Sequence, residues 1–385
     1  MRIGISMLSH DRSWGGPGIY AHEIVRNLLE IDRVNEYVLI YPGFCAERNG
    51  IGQYQPHYPN CVEVATRKSL GWTIYWEQVV LPPVARRQRL DLFFNPFWSV
   101  PVVGRYRKVL IVHGMDSHVV PESLTLRHRF EWFLHAHVWV HRADAVVSIS
   151  DMMKRDLVRF DHLPPTRIRR IYHGCHPKFR PVDDAAALSE ARRRFRLPEK
   201  FLLFVGMLFP QKNFSNFARS FARIAAQVPH DIVVAGQPRW KYAEDMDLIG
   251  ALGLENRIRF LDQVPNDDLP YLYNLADCFA FPSFYEAFGL VGVEAMASGC
   301  PVAAARAGAL PEVLGDAALY YDPNDVDEMA AVFQKMLTDS AVRQRCREAG
   351  LERAKLFTWR RAARETLDLF EDVMAGRPVG GVPPG

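Results

Sequence analysis

The chain lacks a run of about 18 apolar residues, the least a membrane-crossing helix needs. It also lacks a C-x-x-C pair and any cysteine spacing typical of a metal site. Its six cysteines stand at 45, 61, 175, 278, 300 and 346. Several lie inside apolar runs, where a free thiol behaves as a small hydrophobe, so reduced thiols and a cytoplasmic location are expected. No charge of one sign dominates: 47 Lys and Arg against 44 Asp and Glu leave a net charge of +3, too little to argue for nucleic acid. The N-terminus, Met1 to Leu8 and then polar Ser9-His10-Asp11-Arg12, reads as a first β-strand and not as a signal peptide. What remains is a folded composition, 49% hydrophobic and 24% charged over 385 residues, long enough for two domains of ordinary size.

Ile3–Leu8 reads as a buried strand, followed by Trp14-Gly15-Gly16-Pro17-Gly18 and a helical pattern through Ile24, Leu28 and Leu29. Strand, glycine-rich turn and helix open a doubly wound α/β domain. The turn is not G-x-G-x-x-G, so the dinucleotide fingerprint is absent there. Gly15 and Gly16 let the backbone approach a ligand closely, or simply make a tight turn. Further strands are expected at Tyr37–Tyr41, Leu92–Phe94, Lys108–Val112 and Ala145–Ser150. The strand ending at Val112 delivers His113 to the sheet edge where open α/β sheets bind ligands.

Residues 121–142 mix Arg127, His128, Arg129, His135, His137, His141 and Arg142 with Phe130, Trp132, Phe133 and Trp139. Such a helix can make peripheral contact with an anionic membrane, here the inner membrane face. It can also pack its aromatics on the sheet and solvate its charges, the reading favoured here. Prolines and arginines concentrate at 164–200, the best linker candidate, with a boundary near 178. A second domain restarts with the buried strand Phe201–Gly206 and continues at Ile232–Gly236 and Cys278–Phe281.

Residues 279–301 carry the most information. A short strand ends at Pro282-Ser283, helical pattern runs from near Phe288 to Gly299, and Pro301 follows as a stop signal. Glu286 stands before the first helical turn, and seven residues separate it from Glu294. The amides of Ala287, Phe288, Gly289 and Leu290 have no helical partner at such a start and can hold an anion. A carboxylate beside them can accept hydrogen bonds from sugar hydroxyls. Gly289, Gly292, Ala295 and Ala297 leave room against the helix, and Glu294 is suited to the two hydroxyls of a ribose. Two glutamates so spaced also fit a helix cap and a solvated surface residue.

The phrase Pro282-Ser283-Phe284-Tyr285-Glu286-Ala287-Phe288-Gly289-Leu290, then Glu294-Ala295-Met296-Ala297-Ser298-Gly299-Cys300-Pro301-Val302, resembles the Glu-x7-Glu signature of the retaining GT4 glycosyltransferases. The resemblance implies the GT-B fold: two Rossmann-like, doubly wound α/β domains facing across a cleft. Residues 1–178 would bind the acceptor, joined by a final helix at about 361–375, and 179–360 would bind the nucleotide-sugar donor. It further implies that Gly15 and Gly16 face the donor phosphates and acceptor, that His113 contacts the transferred sugar, and that Lys212 binds the diphosphate. Glu286 would hold sugar hydroxyls, Glu294 the ribose, and the Arg257–Val264 strand and turn, ending at Val264, would meet the base.

Met207 stands where relatives carry an arginine and Asp262 where glycine is usual; either Lys212 suffices, or Arg239, Arg306 or a cation of the first domain replaces the missing charge. Ala307-Gly308-Ala309-Leu310-Pro311-Glu312 matches a Gly-x-x-Pro-Glu phrase that looks structural. Asp245 and Asp247 share a probable helix and are discounted as a cation site. The expected reaction moves a hexose, best guess mannose from GDP-mannose, to a glycan or lipid-linked acceptor in polysaccharide assembly. The donor is GDP- or UDP-linked, with no cofactor and no metal required and no nucleic acid as partner. A sugar-nucleotide epimerase of the same fold and a non-catalytic nucleotide-sugar-binding module are the alternatives.

Overall fold

The computed structural model describes residues 1–10, 15–67, 73–115, 133–236, 242–261 and 264–380. The chain divides into two units, one of Met1–Gly174 with Trp359–Gly385, the other of Cys175–Thr358.

The first unit holds a sheet of β1 (Arg2–Ser6), β2 (Glu36–Tyr41), β3 (Cys61–Ala65), β4 (Leu92–Asn95), β5 (Arg107–Val112), β6 (Ala145–Ser148) and β7 (Ile168–Arg170) in the order β3-β2-β1-β4-β5-β6-β7. Every pairing is parallel. The central strands are short apolar runs, as a sheet covered by helices on both faces requires; all four residues of β4 are buried. Two strands of this sheet escaped the sequence reading. β3 is a five-residue edge strand, and β7 carries two arginines inside the stretch read as linker. The helix Trp359–Met374 belongs to this unit: Phe370 meets Phe94 with ring centroids 5.3 Å apart, and Arg169 Nη2 donates to Asp372 Oδ2 at 2.6 Å.

The second unit repeats the design with β8 (Phe201–Val205), β9 (Asp231–Ala235), β10 (Ile258–Phe260), β11 (Cys278–Phe281), β12 (Val302–Ala305) and β13 (Ala318–Tyr321), ordered β10-β9-β8-β11-β12-β13. These pairings are parallel too. In each unit the strand order reverses once, between β1 and β4 and between β8 and β11. Loops leaving the carboxyl ends of strands at such a switch point diverge and leave a crevice for ligands. Gly206 and Gly236 directly follow β8 and β9, and a Cβ on Gly236 would lie 1.9 Å from the Gly206 carbonyl oxygen. That approach of two backbones explains the glycine at 236.

Of the basic-aromatic stretch, residues 121–132 lie outside the described residues, as do Arg239 and Asp262. In the remainder, Trp139 and His135 are buried, and His135 Nδ1 lies 2.7 Å from the Trp98 carbonyl, whereas Phe133 is exposed. No described helix is long and apolar enough to cross a membrane.

Candidate functional site

Glu286 and Lys212 are 74 residues apart in sequence, yet Lys212 Nζ donates to Glu286 Oε1 at 2.5 Å. The topology brings them together: Lys212 ends the loop leaving β8, Glu286 sits in the loop leaving β11, and these strands flank the switch point. One backbone bond and one side-chain bond tie the two loops together. Phe284 N donates to the Gln211 carbonyl at 2.9 Å, and Gln211 Nε2 to the Tyr285 carbonyl at 2.9 Å. The buried Ser283 hydroxyl donates to the same Glu286 Oε1 at 2.7 Å. Oε1 is therefore committed to protein donors, and Oε2 accepts no hydrogen bond among the described residues. The second oxygen is free to take a hydroxyl from a ligand.

The Gly-x-x-Pro-Glu phrase buttresses this turn. Ala309 N donates to the Glu286 carbonyl at 2.8 Å, and a Cβ on Gly308 (φ +56°) would stand 2.5 Å from that carbonyl oxygen.

The helix begins later than its sequence pattern indicates. It spans Leu290–Ala297, with Gly289 at φ +89° as its first flanking residue. Ala287 and Phe288 lie in the bend before it, so the anion-holding amides expected at 287–290 are not one helical turn; only Leu290 is in the helix. Phe288 is buried, its ring 5.7 Å from that of Phe357. The room expected beside the small residues is filled. Side-chain atoms of Leu310, Leu314 and Phe281 lie within 2.7–3.2 Å of where Cβ atoms on Gly289 and Gly292 would stand. These glycines serve close packing of the helix on the core, not a ligand. The stop is as read: Gly299 (φ +76°) follows the helix, and Cys300 N donates back to the Ala295 carbonyl at 2.9 Å.

Glu294 is 5% exposed, with the Tyr273 hydroxyl 3.4 Å from its Oε2. Burial pushes its carboxyl up to about 8, while the charge of Lys178 and the Tyr273 hydroxyl pull the other way. Lys178 itself is held by the Asn266 carbonyl at 2.8 Å and Asp267 Oδ1 at 2.9 Å. Neither Tyr273 nor Lys178 carried a sequence signal; they reach Glu294 only through packing. Val264 is half-buried. Met207 is 42% exposed and brings no charge. Arg306 is exposed, its guanidinium 5.7 Å from the Tyr320 ring centre. Asp245 accepts from the Ser215 hydroxyl at 2.9 Å on the helix Tyr242–Ala251, where residues two apart do not share a face with Asp247.

In the first unit, Gly15 (φ +68°, ψ −135°) precedes the helix Gly16–Ile31, whose second residue is Pro17. Among the described residues no atom lies within 4 Å of a Cβ placed on Gly15 or Gly16, so their packing does not demand glycine there. His113 follows β5. Its Nε2 lies 3.1 Å from the Pro96 carbonyl and must carry the proton, and its buried Nδ1 accepts nothing among the described residues. Tyr20 and His173 rings lie 5.0 and 5.5 Å away. Burial pushes the imidazole down to about 4, partly offset by the Pro96 bond. The ring is neutral at pH 7.

Two family models match the chain: Glycosyltransferase Family 4 over residues 14–179 and Glycosyl transferases group 1 over residues 188–353. The O-antigen chain mannosyltransferase B of Escherichia coli is 31% identical over 237 residues, 61% of this chain and 62% of that protein. The chain thus spans less than two thirds of that relative. The D-inositol 3-phosphate glycosyltransferase of Corynebacterium glutamicum is 30% identical over 296 residues, 74% of this chain and 69% of that protein. Among solved structures, Anabaena HepE in complex with UDP and glucose superposes with a TM-score of 0.73 at 20% identity, covering 97% of this chain and all of that one; that likeness is one of fold. Two parallel sheets, each with one switch point, are what a GT-B protein requires, and the chain belongs to the GT4 glycosyltransferases.

Proposed function

We propose that the chain transfers a hexose, with mannose from GDP-mannose the favoured donor, to a hydroxyl of a glycan or lipid-linked acceptor in polysaccharide assembly, with retention at the anomeric carbon. The observation that carries this reading is the Lys212–Glu286 pair with its uncommitted Oε2. In the reaction Lys212 takes the diphosphate as negative charge develops on it, a role in which preorganised cations matter most. Glu286 Oε2 accepts a hydroxyl of the sugar, Glu294 the ribose, and His113 orients the sugar as a neutral ring. Gly15 and Gly16 leave backbone open to the substrates, and Val264 borders the base. No side chain is assigned as a covalent nucleophile, and the reading uses no cofactor. The similarity to an O-antigen mannosyltransferase supports the sugar and acceptor class.

A second reading keeps the donor chemistry and takes a small phosphorylated polyol as acceptor. It is favoured by the relative that acts on D-inositol 3-phosphate.

The test is a thermal-shift panel of UDP, GDP, dTDP and ADP on wild type and Lys212→Ala, followed by transfer assays with the sugar form of the nucleotide that binds. One nucleotide should raise the melting temperature, by about 2.7 kcal/mol of stabilisation at a hundredfold excess over Kd, and Lys212→Ala should remove most of that rise. NMR of the product should show the donor's anomeric configuration. Turnover of the nucleotide sugar with no acceptor would support an epimerase instead, and the absence of any shift would refute the donor site.

A further inference from the structure

Asn213 follows Lys212 and precedes the helix Phe214–Ile224, where an asparagine side chain ordinarily caps the first amides. Here it makes no cap bond. Its backbone is left-handed, φ +57° and ψ +37°, a conformation that asparagine tolerates better than most residues with a Cβ. The side chain turns away from its own helix and is buried, 4% exposed. Nδ2 donates to the Pro282 carbonyl at 3.0 Å and to the Pro323 carbonyl at 2.8 Å. Both amide hydrogens are thus spent on carbonyls distant in sequence. One of them opens the turn that carries Ser283 and Glu286; the other belongs to the turn after β13.

We propose that Asn213 is the positioning residue for Lys212. By clamping the residue after Lys212 to the start of the Glu286 turn, it fixes where the ammonium stands relative to Glu286 and so to a bound diphosphate. Gln211 secures the other side of Lys212 through its bonds to Phe284 and Tyr285, so the lysine is held from both neighbours. The residue type has a physical reason: glycine would allow the left-handed backbone but supply no donors, and most other side chains would resist the backbone. The inference rests on the reading of Lys212 as a diphosphate ligand.

Titration calorimetry of UDP, GDP, dTDP and ADP against the full chain tests it, using wild type, Asn213→Gly, Lys212→Ala and the double variant, with melting temperatures alongside. Asn213→Gly keeps the backbone conformation and removes both donors. With the nucleotide that binds, each single variant should weaken binding about tenfold, the scale of one charge-assisted hydrogen bond. In the Lys212→Ala background the glycine change should alter Kd by less than about twofold, because an effect exerted through Lys212 vanishes with it. Equal losses in both backgrounds would mean that Asn213 serves only the fold, and the inference falls. If Lys212→Ala weakens binding and Asn213→Gly does not, the inference falls while the donor reading stands. If Lys212→Ala binds like wild type, or wild type binds none of the four, the donor reading fails and takes the inference with it. Asn213→Ser, which keeps one donor, covers a glycine variant that does not fold and should show the same pattern with a smaller loss.

Discussion

Replacing Glu294 by glutamine isolates the consequence of burying one carboxyl. With the residue 5% exposed, burial raises its pKa from 4.5 to about 8. Between those values the folded chain holds a proton that the unfolded chain has released, so unfolding free energy falls as pH rises. At about 1.36 kcal/mol per pH unit, the whole window is worth on the order of 5 kcal/mol, and relaxation or water entry in the pocket lowers that figure. Glutamine has nearly the same shape and cannot ionise. Wild type should therefore lose stability relative to Glu294→Gln from about pH 5 to pH 8. The two curves should run parallel below the window and again above it. Urea unfolding of both proteins across pH 4 to 9 at fixed ionic strength reads this directly, because the difference between them cancels the other titrating groups. A difference that stays constant through the window would refute the argument and mean that the carboxylate is ionised and solvated in the folded chain.

Two further expectations concern single residues. His113, whose ring is pushed down to about 4, should be neutral at pH 7 with its proton on Nε2, since Pro96 offers a carbonyl there. The unfolded chain takes up a proton below about pH 6.5 that the folded ring refuses, so His113 makes acidification through that range destabilising. Nitrogen-15 NMR would contradict this with a midpoint near 6.5 or a proton on Nδ1. Gly236→Ala should cost about 2 kcal/mol or more, because the added carbon meets the Gly206 carbonyl at 1.9 Å and the ends of β8 and β9 must part. An unchanged melting temperature would show that those ends yield freely.

Most strands near the centre of each sheet were legible as short apolar runs, because a parallel strand covered on both faces has no polar side to show; β12 and β13, which follow the Glu286 motif, were not read as strands. Nor were β3 and β7. β3 is short and half-exposed, and β7 reads Ile-Arg-Arg among prolines, so only ladder pairing with β2 and β6 makes either a strand. The helix start was misplaced for a related reason. Phe288 and Gly289 continue the apolar pattern, but Phe288 is spent on core packing and Gly289 turns left-handed. The small residues were read as room for a ligand, whereas Leu310, Leu314 and Phe281 fill that space.

From the sequence alone, the residue types of the candidate site were legible: Lys212 after one strand, Glu286 and Glu294 around another, glycines where the backbone turns. Their local spacing is a property of neighbouring residues, which the sequence states. Only the tertiary structure decided that Lys212 meets Glu286 at 2.5 Å, that Ser283 and Asn213 hold that meeting in place, and that Glu294 is buried against Tyr273 within reach of the charge of Lys178. Those facts follow from β8 lying beside β11. Strand order in a parallel sheet is settled by pairing between segments far apart in the chain, and no local pattern of residues encodes it.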